Sequence, residues 1–326
     1  CQQQPDCRKV GVCATRGGKY KKVVWNIKST VVRKGESHMN LDLLFEEKKK
    51  QVISFEIFPP KRGAALRDID ATLEVLSSLK PDFISITFGA GGSAVNNKTI
   101  ELARKIKEVY HIEPVVHLTC LNYTKAEIKG MLEELKEAGI YNLLALRGDK
   151  SPDYEPKKEF LYANDLIRFI KEQGEEFHIC AACYPETHQE AESRAADLHH
   201  LREKVESGAT HLISQLFFDN NVYYRFLEDA AIAGIHAPIE AGIMPVTNKA
   251  QIERMVTLCG ASLPEKYSRI MHRFEDKKEA LFDAGMAYAI NQIVDLLTNG
   301  VDGIHLYTMN NPAVARRICE GIRNLV

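Results

Sequence analysis

The chemistry-bearing residues of this chain recur at one kind of place, the polar end of a short apolar run. Gln51 to Pro60 carries one acid, Glu56, among Val52, Ile53, Phe55, Ile57 and Phe58. A carboxyl in such a run is partly stripped of water, which disfavours its charged form and makes it a candidate proton donor. A Glu leaning into solvent or pairing with a Lys is the alternative that this stretch alone leaves open. Further runs end in Thr87, in His117, in Arg147 with Asp149, in Tyr184 with Glu186 and His188, in Gln215, and in Tyr307 with Thr308. Any one of these alone is more often a satisfied polar group than a catalyst. A ring of them converging at one rim is what a binding site needs. The acids and histidines lack paired ligand spacing, so no metal site is expected, and no Ser or Cys nucleophile has an evident base and orienter.

The elements that must carry these residues alternate strand and helix. Strands are predicted at the Glu56 run and at 83–88, 114–120, 142–149, 178–184, 211–217, 238–244 and 303–308, ending where polar residues or Gly and Pro begin. Helical spacing follows: Leu66, Ile69, Leu73, Leu76 and Leu79 after the first strand, and Ile100, Ala103, Ile106 and Val109 after the second. Thr124 with Glu127 reads as a capping box opening a helix that Gly139 stops. Further helices are predicted at about 159–171, 189–207, 221–233 and 248–259, then from 264, over 277–298, and from Pro312 onward. Continuous rather than alternating apolar strands imply a parallel sheet covered by helices. The predicted fold is α/β, a single (β/α)8 TIM-type barrel over 39–326, with extra helices before the last strand. An open doubly wound sheet competes. Gly89-Ala90-Gly91-Gly92 has the wrong spacing for a dinucleotide fingerprint, and no ribose-binding acid follows about 20 residues on.

On the helix predicted at 189–207, Asp197, His200 and Lys204 form a polar stripe beside the apolar one. It is either a solvated face or a grip on the polar tail of a long cofactor, the acid taking ribose hydroxyls and the Lys a phosphate.

Composition bounds the rest. The 326 residues are 45% apolar, ample for a full core. No run approaches the roughly 20 apolar residues of a membrane span, and no secretory signal opens the chain, so the expected location is the cytoplasm. Eight scattered cysteines fit a reducing compartment; Cys180 and Cys183 lie three apart on one strand and are expected on opposite faces. Residues 1–38 hold nine Lys or Arg against two Asp or Glu, whereas the remainder holds 34 against 42. This basic extension is expected to be disordered or irregular and outside the fold, a translated leader ahead of a native start at Met39, rather than a nucleic-acid arm.

In order along the chain, Phe55-Glu56-Ile57-Phe58-Pro59-Pro60, Thr87-Phe88-Gly89-Ala90, His117-Leu118-Thr119-Cys120, Ala145-Leu146-Arg147-Gly148-Asp149, Tyr184-Pro185-Glu186, Gln215-Leu216-Phe217-Phe218-Asp219 and Tyr307-Thr308-Met309-Asn310 resemble the methylenetetrahydrofolate reductase family in its short bacterial form. The resemblance covers roughly 42–318. It implies an FAD-dependent barrel enzyme that reduces 5,10-methylenetetrahydrofolate to 5-methyltetrahydrofolate with electrons from NADH or NADPH, in two steps at one site. By the same resemblance Glu56 is the general acid and Asp149 the carboxylate beside flavin and folate. Thr87, Ala90, His117, Arg147, Gly148, Asp149, Tyr162, Ala163, Tyr184, His188, Asp197, His200 and Lys204 fall on FAD-binding positions, and Gln215, Gln251 and Tyr307 on substrate-binding ones. His200, Glu203, Met255 and Asn311 depart from the family pattern. The expected partners are the folate and further copies of the chain in a homo-oligomer, with a redox partner subunit as an alternative electron source and with no nucleic acid and no membrane. Two other functions stay open: a flavin-free pterin-binding methyl-transfer barrel, and a reductase subunit fed by a partner redox protein.

Overall fold

A computed structural model describes residues 9–14, 20–25, 40–47, 51–60, 69–88, 93–150, 155–174 and 176–326. The chain divides into two compact units, Cys1–Ser37 and His38–Val326. In the first, β1 (Lys9–Ala14) pairs antiparallel with β2 (Tyr20–Trp25), a hairpin the sequence reading does not anticipate. Met39 and Ala90 lie outside the described residues.

In the second unit eight parallel strands close on themselves: β3 (Val52–Ile57), β4 (Phe83–Ile86), β5 (Glu113–Thr119), β6 (Asn142–Leu146), β7 (His178–Cys183), β8 (His211–Ser214), β9 (Ile239–Ile243) and β10 (Gly303–Tyr307). Closure is the pairing of β10 with β3, which sets Gly303 opposite Val52 and Tyr307 opposite Glu56. The predicted (β/α)8 barrel is therefore the fold, and the open sheet is excluded.

Strand alternation sorts the side chains into two environments. Phe55, Ile57, Ile84, Ile86, Val116 and Leu118 face outward into one large core shared with the surrounding helices. Val52, Phe83, Val115, Leu144, Cys180 and Ile213 face inward and fill the lower barrel together with Leu41. Cys180 belongs to the inner cluster and Cys183 to the outer one, so the two thiols point to opposite faces.

The helices are α1 (Leu41–Glu47), α2 (Asp70–Ser78), α3 (Ser93–Tyr110), α4 (Lys125–Glu137), α5 (Ala163–Glu172), α6 (Arg194–Glu206), α7 (Asn220–Ile232), α8 (Lys249–Cys259), α9 (Glu265–Phe274), α10 (Lys278–Thr298) and α11 (Pro312–Ile322). Both halves of the capping box at Thr124 and Glu127 form. The extra helices before the last strand are α9 and α10, which with α8 and the segment after β9 enclose a satellite core around Tyr267, Met271 and Leu281. One helix escapes the sequence reading. α1 is short and puts only Leu41, Leu44 and Phe45 against the inner cluster, a spacing too brief to signal a helix before the barrel is known. Two helix starts also shift by several residues, and the strands predicted at 83–88 and 211–217 end early, at Ile86 and Ser214. α6 starts at Arg194 with Ser193 as its cap, not at 189, and α5 starts at Ala163, not near 159. Both shifts leave a turn beside the mouth, at 188–192 and at 158–162.

Among the described residues no helix is long and apolar enough to cross a membrane, and no group of three His, Cys, Asp or Glu side chains could hold a metal ion.

Candidate functional site

The C-terminal ends of the strands open into one cavity of about 1340 Å3. Glu56, Thr87 and His117 line it from the first three barrel strands, and Arg147, Gly148 and Asp149 from the turn after β6. Tyr162 and Ala163 line it from the start of α5, Tyr184 and His188 from the segment after β7, and Asp197, His200 and Lys204 from α6. Gln215, Gln251 and Tyr307 complete the far side. The described residues expected at catalytic, FAD-binding or substrate-binding positions thus reach a single mouth, and Glu56 and Asp149 open to the same end of the barrel, whereas Glu186, which accepts from the Ser262 N–H, and the buried Thr308 do not line it.

Glu56 lies deep in this cavity at 8% exposure. No lysine meets it. Its Oε2 has His117 Nε2 at 3.5 Å and His305 Nε2 at 3.7 Å. Burial pushes the His117 imidazole down to about 4, against the opposite pull of Glu56. His117 is therefore neutral at pH 7, and its buried Nε2 has no hydrogen-bond partner among the described residues. The backbone that carries Glu56 is held from β10: Thr308 Oγ1 donates to the Glu56 carbonyl at 2.7 Å. Asn310 spans Phe58, accepting from its N–H at 2.8 Å and donating to its carbonyl at 2.9 Å. Met309 and Asn310 both have positive φ, 53° and 54°, a conformation uncommon outside glycine and here stabilised by that two-point grip.

The opposite wing is cationic. Arg147 makes a two-pronged contact with Glu190 at 2.7 and 3.1 Å, and Lys150 approaches the same carboxylate at 3.4 Å. Hydrogen bonding from Arg147 holds the Glu190 carboxyl down at about 2. Gly148 follows with φ +86°, where an added Cβ would also sit 3.1 Å from Thr119 Cβ, so this turn brings bare backbone to the cavity wall. Asp197 accepts from the His188 N–H at 3.0 Å, and burial lowers the proton affinity of His188. Lys204 is half-buried, donating to the Ala182 carbonyl at 2.9 Å with its ammonium 5.8 Å from the Tyr184 ring centre. The polar stripe of α6 is thus not simply a solvated face. His200 sits at the rim, stacked on Tyr162 at 6.3 Å and paired with Glu203 at 3.1 Å.

On the far side Gln215 accepts from the Leu216 N–H at 2.9 Å, which leaves its NH2 as the donor. Tyr307 donates its hydroxyl to the Ser214 carbonyl at 2.9 Å and so offers the cavity its ring. Gln251 sits in the first turn of α8, where its carbonyl accepts from Thr247 at 3.1 Å. Asn311 caps α11, accepting from Ala313 N–H at 3.1 Å.

Sequence reasoning missed Glu190 and His305. Glu190 lies where a helix was expected, and His305 lies mid-strand, where only the alternation that puts Tyr307 on the inner face could have flagged it.

The family model described as methylenetetrahydrofolate reductase matches residues 41–323. The chain belongs to the methylenetetrahydrofolate reductase family. The 5,10-methylenetetrahydrofolate reductases of Pectobacterium carotovorum and Escherichia coli are 34% and 35% identical to it over 273 residues, which is 83% of this chain and 90% and 91% of theirs. Methylenetetrahydrofolate reductase (NADH) 1 of Arabidopsis thaliana is 34% identical over 278 residues, 81% of this chain but 47% of that longer protein. Among solved structures, an uncharacterized protein from Clostridium thermocellum that binds two copies of 5-methyl-5,6,7,8-tetrahydrofolic acid superposes with a TM-score of 0.60 over 87% of this chain and 99% of that one. At 14% identity that likeness shows the fold alone. The family makes this chain an oxidoreductase of folate metabolism.

Proposed function

We propose that the chain reduces 5,10-methylenetetrahydrofolate to 5-methyltetrahydrofolate with electrons that NADH or NADPH delivers through FAD at the barrel mouth. The observation that carries this reading is Glu56 deep in the same cavity that Asp149 and Lys204 line. The residues fit the flavin. The cavity exceeds the usual 300–1,000 Å3 of small-molecule sites. The orphaned Nε2 of neutral His117 offers a polar contact on its wall, the bare backbone at Gly148 admits a flat ring, and Arg147 and Lys204 provide cations for a diphosphate. When bound, FAD supplies the hydride that the methylene carbon accepts.

The chain's own groups then have separable tasks. Opening the methylene bridge to an iminium needs a proton on the departing ring nitrogen, and Glu56 is the donor. Among the described residues its close neighbours are the imidazoles of His117 and His305. Asp149, on the exposed side of the mouth, keeps a negative charge near the ring and the cationic iminium, which favours hydride transfer toward the substrate. Gln215 and the face of Tyr307 hold the pterin, and both substrates use this one cavity in turn.

An absorption spectrum of the purified protein before and after anaerobic NADH, followed by the folate, tests the reading. A yellow protein that bleaches with NADH and recovers with the folate is expected; a colourless protein that takes up no FAD overturns the flavin. Glu56→Gln should leave the NADH half-reaction near normal while methylene reduction falls about a hundredfold or more. Equal loss in both halves would make Glu56 structural. Asp149→Asn should raise the flavin potential, and an unchanged redox titration would remove that role.

A further inference from the structure

Below Glu56 the barrel interior holds a line of polar side chains that the reaction just described does not use. His305 Nε2 faces Glu56 at 3.7 Å and Ser85 Oγ at 3.4 Å, and His305 Nδ1 faces Ser54 Oγ at 2.7 Å. Ser54 Oγ donates to Glu240 Oε1 at 2.8 Å. The other oxygen, Glu240 Oε2, faces His211 Nε2 at 3.5 Å, and His211 Nδ1 faces Cys180 Sγ at 3.1 Å. Ser54, Glu240, His305 and Cys180 have no solvent exposure, and His211 has 1%. Room for the acid is built in: at Gly303 an added Cβ would lie 2.9 Å from Glu240 Cγ and 2.8 Å from the Val52 carbonyl.

The direction of each hydrogen bond follows from what each group can donate. Ser54 has one proton and gives it to Glu240, so toward His305 its oxygen can only accept. His305 must therefore carry its proton on Nδ1. In a neutral ring that leaves Nε2 as a bare acceptor, with Ser85 Oγ within hydrogen-bond reach at 3.4 Å and Glu56 Oε2 just beyond it at 3.7 Å, where a lone pair facing the carboxyl favours its protonated form electrostatically. From the other side, burial pushes the Cys180 thiol up and keeps its S–H, which can donate to His211 Nδ1 and leave Nε2–H facing Glu240.

The geometry points to Glu240 as a positioning residue for the general acid: acting through Ser54, it fixes the Nδ1–H tautomer of His305, and that tautomer keeps the proton on Glu56. The inference rests on the reading of Glu56 as the proton donor. The other groups facing Glu56 are His117 on β5, Ser85 on β4 and Tyr307 on β10, while Glu240 also has Asp302 and Tyr223 within electrostatic reach.

The test uses the full FAD-loaded chain labelled with 15N-histidine, the His305 signals being assigned by their loss in His305→Gln. Native protein should show a neutral His305 protonated on Nδ1; an Nε2–H ring overturns the proposal without reference to catalysis. In Glu240→Gln the amide N–H can donate to Ser54, which reverses the line. The His305 proton should then move to Nε2, and the alkaline limb of methylene reduction, where Glu56 loses its proton, should shift to lower pH by about one unit or more, a tenfold change in proton affinity. The pH profile of the NADH half-reaction should stay as it was. Ser54→Ala removes the link without touching the acid and should likewise release the Nδ1–H tautomer and move the limb, which keeps the proposal testable if Glu240→Gln fails to fold. A tautomer that changes while the limb stays put overturns the coupling to Glu56. In that event, a Glu56→Gln variant with normal methylene reduction would locate the failure in the donor reading instead.

Discussion

Burial pushes the His117 imidazole down to about 4 although the Glu56 carboxyl beside it works in the other direction, so desolvation is the larger effect at this position. The consequence for stability has a definite sign. An unfolded His117 titrates near 6.5, so between about pH 6.5 and 4 the unfolded chain binds a proton that the folded one does not. Stability from this residue is full above 6.5 and is lost as pH falls toward 4, by at most roughly 3 kcal/mol. In urea unfolding at pH 7.5 and pH 5, His117→Gln should lose less between the two pH values than the native chain does. An equal loss in both proteins would mean that His117 does not titrate this way. The Arg147 contact with Glu190 is different in kind. Its carboxylate is exposed, so Glu190→Gln should change unfolding free energy by no more than about 1 kcal/mol despite the short distances.

At the scale of elements, two short pieces matter out of proportion to their length. α1 closes the lower barrel with Leu41, which has no solvent exposure and packs against Val52, Phe83 and Val115. Leu41→Ala should therefore cost about 2–5 kcal/mol, the range for a buried leucine, although the residue lies outside every predicted strand and helix. The turn after β10 holds the end of β3 through Thr308 and Asn310. Asn310→Gly keeps the positive φ accessible and removes only the grip on Phe58. Methylene reduction is expected to fall about tenfold or more as Glu56 loses its fixed placement, with little change in melting temperature. If the rate is unchanged, the grip serves folding alone.

For the whole molecule, His38–Val326 is a compact unit containing the closed barrel and the entire described cavity. A chain beginning at Met39 is expected to melt at the same temperature as the full chain and to bind FAD equally well. A lower melting temperature or weaker FAD binding in the shortened protein would give the basic extension a part in the fold or the site.

Parallel strands under helices, and the one end at which their polar residues gather, were legible in residue order, while closure into a barrel rather than an open sheet was settled by the pairing of β10 with β3. Eight apolar runs without alternation need helices on one side and each other on the inside, and in a parallel barrel all their C-terminal ends must share one face. That is why Glu56, His117, Arg147, Asp149, Gln215 and Tyr307, up to 251 positions apart, could be grouped before any coordinate was known. Only the tertiary structure decided what those residues touch. The neighbours of Glu56, the grip of Asn310, the Glu190 carboxylate on Arg147 and the line from His305 to Glu240 all depend on strand register and turn conformation. Both are set by closure of the sheet and by packing between elements remote in the chain, and no local pattern of residue types encodes them.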